Sequence, residues 1–185
     1  MKRLTSIGLL LLAVTVPLSA STFLRMSPRD LVRDSAAVVQ GKVLKVSSFW
    51  EPSGRIIVTE AQIQVEEKVF GNVPSVVVVR TFGGTMDGYT VEAHGFPKFR
   101  ANERLLLYLE AEKDGASRVT GYQQGQFRIV RDQAGAELAV PTVDEGVQIL
   151  GRDGRLAAPV KTLRLDVLKD SIRNEARQAG RFLEN

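Results

Sequence analysis

The stretch IIVTEAQIQVEEKVF, residues 56–70, constrains this chain more than any other. From Ile57 the side chains alternate: Ile57, Thr59, Ala61, Ile63 and Val65 fall on one side, and Val58, Glu60, Gln62, Gln64 and Glu66 on the other. Successive side chains of a strand point to opposite faces, so this pattern is a long strand with one face buried and one facing water. The same residues wound into a helix would spread the apolar positions around its circumference.

The neighbouring segments have the same character. AVVQGKVLKVSSFW, residues 37–50, is rich in β-branched and aromatic residues but alternates imperfectly around Gly41, as a bent or bulged strand does. EPSGR and GNVPS are turns. VVVVRTF, apolar at successive positions, predicts a strand covered on both sides. RLLLYLEAE, RVTGY and GQFRIVRD add further strands. Residues 133–160 predict one or two strand pairs bending at Gly135 and Asp153-Gly154, with Pro141 and Pro159 restricting them to sheet edges. Short strands joined by glycine turns predict an antiparallel barrel or sandwich.

Two segments break the β pattern. In MSPRDLVRDSA, Ser27 is placed to cap a short helix, with Pro28 at its first position, Asp30 at its third and Met26 packing on Leu31. Near the end, Leu165, Leu168, Ile172, Ala176 and Ala179 recur at three- and four-residue steps, which predicts an amphipathic helix closing one side or end of the barrel.

MKRLTSIGLLLLAVTVPLSA reads as a secretory signal peptide: Lys2 and Arg3 precede an apolar run, Ile7 to Val16, which ends at Pro17, Ser19 and Ala20. Cleavage after Ala20 leaves 165 of the 185 residues and lowers the formal net charge from +4 to about +2. The expected organisation is a signal peptide at 1–20, a barrel with its short helix at 21–159, and a packed C-terminal helix at 160–185. A near-neutral mature chain without basic runs is a poor nucleic-acid binder. No later apolar run is long enough to span a membrane, so a soluble periplasmic or extracellular protein is expected. The absence of cysteine removes disulfides and thiolate metal sites, leaving packing to stabilise the fold.

The order DLVRDSAAVVQGKV, VEEKVFGNVPSVVVVRTFGG, FPKFRANERLLLYL and GYQQGQFRIV resembles a group of largely uncharacterised secreted bacterial proteins over residues 28–131. The same order is more faintly similar to the OB-like barrel of netrin modules and tissue inhibitors of metalloproteinases. The resemblance implies a small antiparallel OB-like β-barrel. Those inhibitors chelate zinc through an N-terminal amine and carbonyl, which here would be those of Ser21.

GGTMDGYTVEAHGFPKF, residues 83–99, carries the only histidine. Were YTVEAH extended, Glu92 and His94 would share a face about 7 Å apart, within reach of one metal ion. One histidine with one carboxylate falls short of the three protein ligands of a catalytic zinc, and a half-exposed hairpin histidine is the plainer reading. The glycines lack the strand-to-helix context and lysine of a phosphate loop. No nucleophile elbow occurs, and Glu66 and Glu67, adjacent on a strand, should point to opposite faces. No catalytic residue, cofactor or metal is expected. The candidate binding surface comprises Trp50, Phe82, Tyr89, Glu92, His94 and Phe96, because exposed aromatics on such barrels form binding faces for protein or small ligands. Phe49 belongs to the same group, while Pro97 and Phe99 suit a plug for one barrel end. The leading expectation is an exported, non-enzymatic binding domain. The alternatives are an inhibitor or accessory protein of a secreted metalloprotease and a metal-dependent hydrolase using His94 and Glu92.

Overall fold

The computed structural model describes residues 21–180; the expected signal peptide and residues 181–185 lie outside the described residues. A short strand β1 (Thr22–Leu24) leads into helix α1 (Pro28–Asp34) and two long strands, β2 (Ala37–Trp50) and β3 (Ile57–Phe70). Strand β4 (Val76–Phe82) precedes a small hairpin, β5 (Gly84–Met86) and β6 (Tyr89–Val91). Next come β7 (Arg104–Ala111), β8 (Ser117–Val119), a 3-10 turn (Tyr122–Gly125) and β9 (Gln126–Arg131). The chain ends with β10 (Glu137–Pro141), β11 (Gln148–Leu150), β12 (Leu163–Arg164) and helix α2 (Leu165–Gln178).

Five strands close a barrel in the order β2, β3, β4, β8, β7 and back to β2. The β4–β8 contact is parallel and the others are antiparallel, which gives the OB-like arrangement. Strand β7 is the branch point. One edge pairs with β2, while the other pairs with β9 at Leu105–Leu107 and with β8 at Leu109–Ala111. The fork sends β9, β10 and β12 away from the barrel as a flap.

Two cores meet across β7. Leu105, Leu107 and Leu109 point into the barrel with Val39, Val43, Ala61, Ile63 and Phe99. Leu106 and Tyr108 point outward, into a second core that Leu31 and Val32 of α1 and Leu165, Leu168, Ile172 and Ala176 of α2 complete. The helices therefore cover the side of the barrel and not its end. α1 carries the expected capping box, with Asp30 N–H donating to Ser27 Oγ and Ser27 N–H to the Asp30 carboxylate.

Several expectations need correction. The strand buried on both faces is β7, not β4: Val77, Val79 and Thr81 are buried, but Val76 and Phe82 are exposed, because neither helix reaches the outer side of β4. Ala179 is exposed past the end of α2. Pro141 lies on a strand paired on both sides; β12 meets only Leu138 and Ala139, so the missing proline N–H costs no ladder bond there. The antiparallel expectation missed two parallel contacts, β4–β8 and β1–β11. β2 is bulged as expected at Gly41, and the bulge has a further consequence. It brings Glu66 and Glu67 into one network around Gln40, which donates to Glu66 and accepts from Lys169, itself paired with Glu67 at 2.7 Å.

On the flap side Arg104 bridges Glu66, at 2.8 Å, and Glu137. Hydrogen bonding to this guanidinium holds both carboxyls below their ordinary value of 4.5. A depressed carboxyl stabilises the fold fully above its unfolded pKa and loses that contribution as pH falls through the folded one. These groups are near the surface, so the expected effect is about 1 kcal/mol. Arg104→Met should therefore lower the urea midpoint at neutral pH, and its gap from the parent should close as pH falls below 4.5. A gap that persisted in acid would show the loss to be packing alone.

Candidate ligand cleft at the barrel seam

The hairpin is built around Asp87 and Gly88, at φ 51° and 80°, the two-residue turn that Asp-Gly tolerates best. Trp50 Nε1 donates to Asp87 Oδ2 at 3.0 Å, and the Trp50 and Tyr89 rings meet edge-on at 6.0 Å. The end of β2 thus pins the hairpin tip. Past Val91 the chain leaves the strand and turns, with Phe96 N–H donating to the Ala93 carbonyl at 3.2 Å. Glu92 and His94 consequently do not share a strand face. The turn draws their tips to 3.9 Å in an exposed pair. Among the described residues no three His, Cys, Asp or Glu side chains converge as a metal-ligand set.

A different cluster lies where β4 and β8 diverge. Four rings form a train: Phe82 meets Phe96 at 5.3 Å, Phe96 meets Tyr122 at 4.9 Å, and Tyr122 meets Phe23 at 4.9 Å. The first two contacts are edge-to-face, the geometry ring quadrupoles favour. Phe82 and Tyr122 remain 45% and 44% exposed, so the train is open to solvent. Phe82, Phe96 and Tyr122, with Val58, Pro97 and Val119, line a cleft of about 220 Å³.

The motif GYQQGQ, residues 121–126, holds this train together. Gln123 Nε2 donates to the Phe96 carbonyl at 3.0 Å, and its Oε1 accepts from Asp144 N–H at 2.8 Å. Gln124 donates to the Leu24 carbonyl and accepts from Met26 N–H, both at 3.0 Å, fixing the strand that carries Phe23. Gln126 Nε2 donates to the Lys98 carbonyl at 2.8 Å. All three glutamines are buried. Tyr122 itself sits at φ 58°, a left-handed conformation that costs a bulky residue about 1–2 kcal/mol.

Arg80, Arg118, Glu110 and Glu112 line one side of the cleft, and Glu60 and Asp114 join them through Arg80. Arg80 pairs with Glu60 at 2.7 Å, Glu112 at 3.2 Å and Asp114 at 2.6 Å, and Arg118 pairs with Glu112 at 3.1 Å and Glu110 at 3.4 Å. Hydrogen bonding to Arg80 holds the Asp114 carboxyl below its ordinary value. Four carboxylates thus face two guanidiniums. The cleft offers rings and ion-paired groups, an arrangement suited to holding a ligand.

The aromatic and charged residues that the sequence predicts as one face are divided by the fold into three groups: Phe82 with Phe96, Trp50 with Tyr89, and Glu92 with His94. Glu92 and Phe82 also line a second hollow between the hairpin and β4. Phe99 is buried in the barrel core, as a plug would be, and Pro97 is buried beside it. Phe23 and Tyr122 escaped sequence reading. The detectable signal was the run of three glutamines among glycines, since buried amides demand partners. The Ser21 carbonyl, the zinc-chelating position in the inhibitors, accepts Gln148 N–H at 2.9 Å. No protein-family model matches this chain, and no curated protein matches it in sequence.

Proposed function

We propose that this chain is an exported, non-enzymatic binding module and that the aromatic cleft between β4 and β8 holds its ligand. The observation that carries the reading is Tyr122, a half-exposed ring kept in a left-handed backbone conformation and in contact with Phe23 on one side and Phe96 on the other. Backbone strain at a solvent-facing aromatic costs stability, and such strain clusters at ligand clamps and active sites. Export rests on the character of residues 1–20. The non-enzymatic reading rests on the solitary pairing of His94 with Glu92 and on a cleft lined by ion-paired groups. Among the described residues no helix is long and apolar enough to cross a membrane.

Indole is a suitable first probe. Titrated into isotope-labelled protein purified from the exported fraction, it should shift the amide resonances of Phe82, Phe96, Val119 and Tyr122, and Phe82→Ala should abolish those shifts. Shifts centred on Trp50 and Tyr89, or indifferent to Phe82→Ala, would overturn the assignment of the site. Turnover of chromogenic esters or phosphates that disappears with His94→Ala would overturn the non-enzymatic reading.

A further inference from the structure

We infer that the seam is a strand-addition site: an extended peptide pairs with the open edge of β4 from the Arg80 carbonyl to Phe82 and places a basic side chain in the aromatic cleft. The inference rests on the ligand role given to the cleft above and names the ligand's class.

The β-ladder carries the first part. Gly83 N–H donates to the Ile57 carbonyl and Val65 N–H to the Ser75 carbonyl, each at 2.9 Å. Both bonds belong to the β3–β4 register. Hydrogen-bonded and non-hydrogen-bonded pairs alternate in an antiparallel ladder, so the odd-numbered residues of β4 exchange bonds with β3. Arg80 and Phe82 therefore turn their N–H and C=O groups away from β3, toward the seam. There β8 meets β4 only at Val79↔Ser117 before leaving to pair with β7. Because Val79 bonds to β3, that bridge engages the Val78 carbonyl and the Arg80 N–H; beyond it no strand among the described residues pairs with the Arg80 carbonyl or with the N–H and carbonyl of Phe82. Unpaired strand edges are the usual template for an added strand.

The cleft specifies what such a strand carries. It lies beside this edge, and its volume of about 220 Å³ is below the roughly 300–1,000 Å³ of sites that enclose a whole drug-sized molecule. It therefore suits one side chain. Phe82, Phe96 and Tyr122 bring three aromatic rings to the cleft, and such rings attract cations to their faces. Of the charged residues that line the cleft, Glu110 and Glu112 balance Arg80 and Arg118, and Glu60 and Asp114, joined through Arg80, leave the ion-pair network as a whole with four carboxylates to two guanidiniums. An arginine or lysine, with its apolar stem on Phe82 and Tyr122 and its charge toward Glu110 and Glu112, meets both demands. On the other side of Phe82, a second hollow lies beneath the hairpin, lined by Phe82, Gly83 and Gly84 among others.

The test is to pan a display library of random linear peptides on the purified protein and synthesise the winners. Enrichment of sequences with one basic residue among apolar ones is expected. For a selected peptide, replacing the basic residue by norleucine and, separately, N-methylating the backbone opposite Phe82 should each weaken calorimetric binding about tenfold or more. The peptide should also protect the Phe82 amide from hydrogen exchange. Enrichment of acidic sequences, no enrichment, or binding indifferent to N-methylation would overturn the inference. So would benzylamine binding as tightly as the peptide. If indole finds the cleft and no peptide does, strand addition fails and the cleft remains a ligand site; if indole also fails, both readings fall.

Discussion

Leu106→Ala and Leu107→Ala are each expected to cost about 2–5 kcal/mol in chemical denaturation. The residues are adjacent on β7, and both are 0% exposed. On a strand with one wet face, one of two neighbours tolerates truncation. Here Leu107 empties space inside the barrel and Leu106 empties space beneath α1 and α2, so neither loss is relieved by solvent. Val76→Ala, on the exposed end of β4, should cost less than about 0.5 kcal/mol. A small loss at Leu106 would mean that the helices do not cover β7.

Phe99→Ala should cost about 3–5 kcal/mol, whereas His94→Ala should stay within about 0.5 kcal/mol. Phe99 is 8% exposed in the barrel core beside Leu105 and Leu107, and removing its ring leaves a void at the end of the barrel that rigid strands cannot close. His94 is exposed, and its ion-pair partner, Glu92, is more exposed still. Thermal melts of the two variants settle the matter. A stoichiometric transition metal in the parent protein that is lost in His94→Ala would reverse the expectation and restore the metal-site alternative.

Much of the candidate surface was legible as a set of residues but not as an arrangement. Phe82 and Phe96 emerged from sequence as exposed aromatics near strand ends, and the fold sets them edge-to-face. Trp50 and Tyr89 meet around Asp87 instead, because the Asp-Gly turn folds the hairpin back on the end of β2. Phe23 and Tyr122 are far apart in the chain. Their contact depends on Gln124 holding the β1 segment, a long-range hydrogen bond with no local pattern in sequence.

By itself the sequence determined what local physics decides. The period-two alternation of β3, the Ser27 and Asp30 capping box, the Asp87-Gly88 turn and the three- to four-residue stripe of α2 are each encoded within a few residues. Tertiary structure decided which apolar runs are buried on both faces. Four valines in β4 and the leucines of β7 look alike as strings, and only the landing of α1 and α2 on β7 distinguishes them. It also decided the closure of the barrel. A single parallel bridge, Val79↔Ser117, joins β4 to β8, and the fork of β7 then draws β8 away. The aromatic cleft and the edge at Phe82 follow from that divergence, because among the described residues no other strand arrives to pair there.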